Sequence, residues 1–225
     1  MPAPAPSIAP LFPSVASFTT EQIYICNRDG YDLKPLTSRE GLIYFYFVWA
    51  PDSHAVVALA CKEDEWNARE RQYKLPAGRP RLIAPDGTER LLDDALTDAW
   101  PVWSPDASKI ATPFDTDVAI YDAGGKTPTQ ARLPLGDQLL QASAAYDQKT
   151  TVKKATNNTN ANSGAQPASA PSVPASFNPI VRLDWKRPET LYFQTAYVRL
   201  MPNETINTFQ RWHLLAISAQ AAVLK

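Results

Sequence analysis

The side chains able to run chemistry are few and scattered. The chain has two histidines, one in Pro51-Asp-Ser-His54 and one in Arg211-Trp-His-Leu-Leu-Ala-Ile217. His54 and His213 therefore sit in unlike contexts, a turn and a strand-like run, and neither has the paired spacing of a zinc site. A histidine-assisted nucleophile needs a Ser or Cys and an orienting acid, and no Gly-x-Ser-x-Gly elbow is present. No glycine-rich phosphate cradle is present either. Asp115, Asp117 and Asp122, with the Asp122-Ala-Gly-Gly125 turn, could offer oxygens to calcium. Their spacing is not that of an EF-hand loop, and acids are common in hairpin turns. Cys26 and Cys61 each end an apolar run and read as small buried hydrophobes; two thiols make no disulfide framework, although one bridge forms if the strands come close enough. This inventory leads us to expect no catalytic group, no cofactor and no metal.

Charge and composition narrow the classes further. The net charge of −1, with acids and bases interspersed, leaves no basic footprint for nucleic acid and no polybasic membrane patch. No apolar run approaches the roughly 20 residues that span a bilayer. Proline is frequent, 21 of 225 residues, alongside 6 Trp, 9 Tyr and 8 Phe. Proline opposes helix interiors and central strands, so this mixture suggests short strands joined by many turns. Residues 1–14 begin Met1-Pro-Ala-Pro-Ala-Pro-Ser and lack the regions of a signal peptide. They read as a Pro/Ala linker, of the kind that follows a signal, an anchor or another domain. The expected setting is therefore periplasmic or extracellular, with the cytoplasm as the alternative.

The elements that would position any site follow in order. Gln22-Ile-Tyr-Ile-Cys26 is a strand, Asn27-Arg-Asp-Gly30 a turn and Asp32-Leu-Lys-Pro-Leu-Thr37 an edge strand. Gly41-Leu-Ile-Tyr-Phe-Tyr-Phe-Val-Trp49 is apolar almost throughout and predicts a strand buried on both faces. Ala50-Pro-Asp-Ser53 turns the chain into Ala55-Val-Val-Ala-Leu-Ala60. The charged run 62–74 could form a short surface helix but reads better as a long, solvated hairpin connection, with Trp66 and Tyr73 folded against the body. Arg81–Ala84, Pro85-Asp-Gly87 and Glu89–Leu92 complete the set.

The set then repeats. Trp100-Pro-Val-Trp-Ser-Pro-Asp-Ala-Ser-Lys-Ile-Ala111 is a strand, a tight turn and a returning strand, followed by Asp117–Tyr121 and Gln130–Leu135. Residues 147–176 contain no aromatic residue and read as a low-complexity insertion loop, too polar to bury a core. The pattern resumes at Pro179-Ile-Val-Arg-Leu-Asp-Trp185 and Thr190–Gln194, and ends with Arg211–Ile217 and Ala221–Leu224. Trp49 and Trp103 stand 54 residues apart; Trp103 and Trp185 stand 82 apart, or 52 once the 30-residue insertion is set aside. A common period with common turn chemistry marks a repeat protein.

These units resemble the WD40-like repeat of TolB-type β-propellers. Pro101-Val-Trp-Ser-Pro-Asp106 with Ile110-Ala111 matches one half of that pattern, and Gln22–Gly30 with Pro35-Leu-Thr37 the other. Phe47-Val-Trp-Ala-Pro-Asp52 is a good copy and Leu183-Asp-Trp-Lys-Arg-Pro188 a degraded one, while Ser53 and Ala107 stand where the family has its corner glycine. The resemblance implies an all-β fold over residues 15–225, a β-propeller of four-stranded antiparallel blades. Three blades would start near 41, 96 and 177, after a partial set at 15–37. Three and a half to four blades fall short of the family's six, which implies an incomplete or small ring, or one completed by another chain. Trp49, Pro51, Asp52, Trp103, Pro105, Asp106 and Trp185 are then structural corners, each Trp packing between blades and each Asp holding its turn.

The function expected from this is a non-enzymatic interaction or scaffold module with a protein partner, alone or as one subunit of a larger extracytoplasmic assembly. Two other classes fit the same residues. One is the propeller portion of a larger enzyme or receptor, such as a prolyl-oligopeptidase-like hydrolase or a sensor kinase. The other is a glycan- or small-ligand-binding propeller using Trp66, Trp100 or Trp212.

Overall fold

A computed structural model describes residues 20–125, 128–142, 179–201, 204–217 and 222–224. The linker 1–14 and the insertion 147–176 lie outside the described residues. The fold is all-β, with four antiparallel sheets in chain order. The first sheet is the hairpin β1 (Tyr24–Ile25) and β2 (Lys34–Pro35). The second is the meander β3 (Leu42–Trp49), β4 (Val56–Lys62), β5 (Arg79–Ile83) and β6 (Glu89–Leu91). The third is β7 (Val102–Trp103), β8 (Lys109–Phe114), β9 (Asp117–Asp122) and β10 (Gln130–Pro134). The fourth is β11 (Ile180–Arg187), β12 (Thr190–Met201), β13 (Glu204–Ile217) and β14 (Ala222–Leu224). Helix α1 (Glu63–Glu70) joins β4 to β5, and a short helix, α2, spans 136–142. Among the described residues no closed ring forms.

The turns explain why the strands reverse where they do. Pro51-Asp52, Pro85-Asp86 and Pro105-Asp106 build the same corner three times. The N–H of Ser53, Gly87 and Ala107 donates to the carbonyl three residues back, in Ala50, Ala84 and Ser104. Each aspartate Oδ1 accepts from the N–H two residues on, at 3.1 Å for His54, 2.8 Å for Thr88 and 3.2 Å for Ser108. The residue after each aspartate takes a left-handed φ, +62° at Ser53, +87° at Gly87 and +57° at Ala107. Only Gly87 does so without steric cost.

The core lies between sheets. Ile23 and Leu36, which flank the strands of the first sheet, pack on Tyr44, Val56, Ala58, Ala60 and Ile83 of the second. Val57, Ala50 and Leu92 meet Trp103, Ile110, Phe114, Ala119 and Tyr121 of the third. Ala111, Val118, Leu135 and Leu139 meet Leu183, Trp185, Leu191, Phe193 and Leu215 of the fourth. Alternate residues of β4 and of β8 thus serve opposite faces.

Three expectations need correction. The run ending in Trp49 is not buried on both faces: β3 is an edge strand, and Phe47 and Trp49 are exposed. The doubly buried strand is β4, central in its sheet, where Val56 through Cys61 are fully enclosed. The charged connection is the short surface helix, not the solvated hairpin connection preferred above. Its capping box joins the Lys62 N–H to Glu65 Oε2 at 2.9 Å, and three acids in its first turn suit the positive end of the helix dipole. Tyr73, beyond that helix, is 99% exposed rather than folded back.

Candidate functional site

The first strands β3, β7 and β11 each form an edge of their sheet. Their side chains meet around a groove of about 770 Å³, lined by Phe45, Tyr46, Trp66, Trp100, Val102 and Arg182 among others. That size is within the usual range for ligand pockets.

Two local irregularities aim residues into this groove. The pairing of β3 with β4 shifts register between Tyr44 and Tyr46, which leaves Phe45 without a direct partner. The pairing of β11 with β12 shifts between Ile180 and Arg182, at Val181. Such bulges bend a strand and re-aim its side chains. Phe45 meets the Trp66 ring edge-on, with centroids 5.4 Å apart. Tyr46 stacks on Trp100 at 4.7 Å with ring planes 24° apart, and its hydroxyl donates to the Pro101 carbonyl at 3.4 Å. Burial pushes the Tyr46 phenol up from its ordinary value. Trp100 itself remains 62% exposed, a large apolar plane on the groove wall.

Ion pairs fix the helix that delivers Trp66. Arg79 Nη1 donates to Glu65 Oε2 at 2.8 Å, and Arg69 Nη2 to Asp98 Oδ2 at 2.6 Å. The hydrogen bond from Arg79 holds the Glu65 carboxyl below its usual value, although burial opposes it. Asp98, on the groove rim, is thereby engaged by Arg69. Arg182 lies over the Trp212 ring, 5.9 Å from its centroid, and among the described residues no carboxylate pairs with it. Against Phe45, Gly78 has no room for a side chain: a Cβ would come within 2.8 Å of the Ala60 nitrogen and 2.9 Å of the Phe45 ring.

The expected corners fall elsewhere. Trp103 is buried between the second and third sheets, with Nε1 donating to the Val48 carbonyl at 3.2 Å. Trp185 is buried between the third and fourth, and its Nε1 donates to the Pro188 carbonyl. Trp49 does not pack between sheets and is 43% exposed. It shares a row with Val56, on the face toward the first sheet, and that two-stranded hairpin is too small to cover it. Pro51 and Pro105 are exposed at their turns. Asp52 and Asp106 hold the turns as described above. Asp106 also accepts from the hydroxyls of Ser104 and Ser108, at 2.6 and 2.8 Å, and these bonds lower its carboxyl.

The remaining candidates do not converge. His54 Nδ1 lies 2.8 Å from the Asp52 carbonyl on an exposed turn, while His213 stacks on Phe193 and contacts Thr195 Oγ1 in the fourth sheet. Asp122 is engaged by Lys109 Nζ at 2.5 Å and by the Thr129 hydroxyl at 2.6 Å. Burial first, then the charges of Asp117 and Asp98, push the Asp115 carboxyl up. Among the described residues no three His, Cys, Asp or Glu side chains form a metal-sized cluster. The cysteines are free: Cys61 is buried, but Cys26 is exposed, against the expectation.

Of the exposed tryptophans singled out in the sequence, Trp66 and Trp100 share the groove and Trp212 does not line it. Phe45, Tyr46 and Arg182 were not foreseen as groove residues. The only hint is the unbroken Ile43-Tyr-Phe-Tyr-Phe47 run, which departs from period two exactly where β3 shifts register. Compared with family profiles, curated proteins and solved structures, the chain matches none.

Proposed function

We propose that the chain is a TolB-like, propeller-type interaction module that acts without catalysis and binds a protein partner outside the cytoplasm. The propeller reading is supported by three consecutive four-stranded meanders, by the corner repeated at Asp52, Asp86 and Asp106, and by cores that join each sheet to the next. One observation carries the binding reading. Where three first strands meet, the groove is walled by Phe45, Tyr46, Trp66 and a largely exposed Trp100. Exposed aromatic planes next to a single arginine are the composition of binding hot spots. Neither histidine and neither cysteine lines that groove.

Selection of displayed peptides on the full chain tests the proposal. Trp100→Ala is expected to weaken the selected peptides at least tenfold while the thermal midpoint stays near that of the unaltered chain, since the side chain is mostly exposed. Selected peptides indifferent to Trp100 would overturn it.

A further inference from the structure

We infer that the groove's occupant is the chain's own proline-rich segment, centred on Pro10-Leu-Phe-Pro13. The inference rests on the groove being a binding surface, as proposed above, and names what fills it.

The first argument is chemical. Aromatic-lined grooves receive Pro-x-x-Pro segments, because the polyproline II form is already extended and loses little entropy on docking. Phe45, Tyr46, Trp66 and Trp100 provide such a lining, and Leu75 and Pro76 extend it. The sequence Met1-Pro-Ala-Pro-Ala-Pro-Ser-Ile-Ala-Pro-Leu-Phe-Pro13 supplies the matching ligand. Within it, Leu11 and Phe12 are large apolar side chains between two prolines. A segment without charged side chains also suits a groove whose aspartate, Asp98, is already paired to Arg69.

The second argument is position. The segment itself lies before the described residues, but its point of attachment does not. Glu21 pairs with β3: its N–H donates to the Leu42 carbonyl, and its carbonyl accepts from the Tyr44 N–H at 3.1 Å. β3 is the strand that carries Phe45 and Tyr46 into the groove. From Ile43 to Tyr46 is three residues, about 10 Å along the strand. From Glu21 back to Pro13 is eight residues, which reach up to about 26 Å. The tether therefore spans the distance with slack, including a reversal of direction, and short tethers give millimolar effective concentrations.

The chain has a second Pro-x-x-Pro, Pro171-Ser-Val-Pro174, whose intervening residues are small. It serves as the control. An outside ligand for the groove would have to displace the chain's own segment, so mutations in that segment should raise apparent affinity in trans.

The test uses the full chain with a photoreactive benzoylphenylalanine at position 12, irradiated and mapped by mass spectrometry. Links within one chain to Tyr46, Trp66, Trp100 or Val102 are expected, with at least a fivefold loss in Trp100→Ala. In parallel, a labelled peptide of residues 1–15 is titrated onto the full chain by fluorescence anisotropy. The Leu11→Ser/Phe12→Ser variant is expected to bind it at least tenfold more tightly than the unaltered chain does, and Pro171→Ala/Pro174→Ala no more tightly. Links mapping outside the groove, links between two chains, or an equal response to the control variant would each overturn the inference. If displayed peptides still bind through Trp100 in that case, the groove reading stands and only its occupant is wrong. If they do not, both fall.

Discussion

The indole Nε1 of Trp103 donates to the main-chain carbonyl of Val48, 3.2 Å away, across the boundary between the second and third sheets. The same ring is enclosed by the core of that boundary. Removing a buried tryptophan side chain costs about 3–5 kcal/mol, so Trp103→Ala is expected to fall in that range. Trp103→Phe keeps most of the apolar area and should lose about 1 kcal/mol with the hydrogen bond, beyond its loss of volume. Trp49→Ala, at the matching sequence position but half exposed, should lose distinctly less than Trp103→Ala. Urea unfolding followed by circular dichroism checks the order, and equal losses at the two tryptophans would refute the packing described.

Ser53 and Ala107 adopt φ of +62° and +57° at the corners equivalent to the one where Gly87 stands. Left-handed backbone costs a non-glycine residue about 1–2 kcal/mol. Glycine returns part of this gain through its freer unfolded chain. Ser53→Gly is therefore expected to stabilise the protein by about 0.5–1 kcal/mol. Ala107→Gly should gain less, because the Ala107 methyl group is buried. Thermal midpoints of the two variants decide this, and a fall in both would contradict the strain.

The Lys109 ammonium, and after it the Thr129 hydroxyl and N–H, hold the Asp122 carboxyl well below its ordinary value. A carboxyl lowered by folding adds stability above its unfolded value of about 3.9, and that stability is lost as pH falls from there through the folded value. The denaturation midpoint should hold from pH 7 to about 5 and decline below about 4. In Asp122→Asn the acid decline should be shallower and the neutral-pH stability lower. An acid limb identical to that of the unaltered chain would show that Asp122 contributes nothing to it.

Burial pushes the Cys61 thiol up to about 11, with the nearby Glu65 adding to the rise, whereas Cys26 lies exposed after β1. Thiolate is the reactive form, so the two cysteines should differ sharply. Ellman's reagent at pH 8 is expected to modify Cys26 alone in the native chain and both in denaturant. Rapid modification of both without denaturant would contradict the enclosure of β4.

The strand order was legible because the turns carry their own chemistry. The three Pro-Asp corners each place a residue that accepts from its own backbone beside one that takes positive φ, and in the first turn Asn27, three residues before the positive-φ Gly30, accepts from the Tyr31 N–H. The environment of each strand was less legible. Trp49 and Trp103 share a motif, yet only Trp103 has a full sheet in front of it. The charged run before Arg79 left a short helix and an extended connection both open, because what favours helix α1 is partly tertiary, through Glu65 with Arg79 and Arg69 with Asp98. The groove was the least legible feature. It depends on three edges meeting and on register shifts at Phe45 and Val181, and neither shift requires a glycine or any other residue that would mark it.

The cores described above each join one sheet to its immediate successor in the chain. Within this arrangement a growing polypeptide need never wait for a distant segment. Once Leu92 has left the ribosome, the second sheet can settle on the first, and the third has a surface to land on when Tyr121 follows. Nascent-chain assembly can then advance like bricks laid from one end, each course needing only the one beneath it.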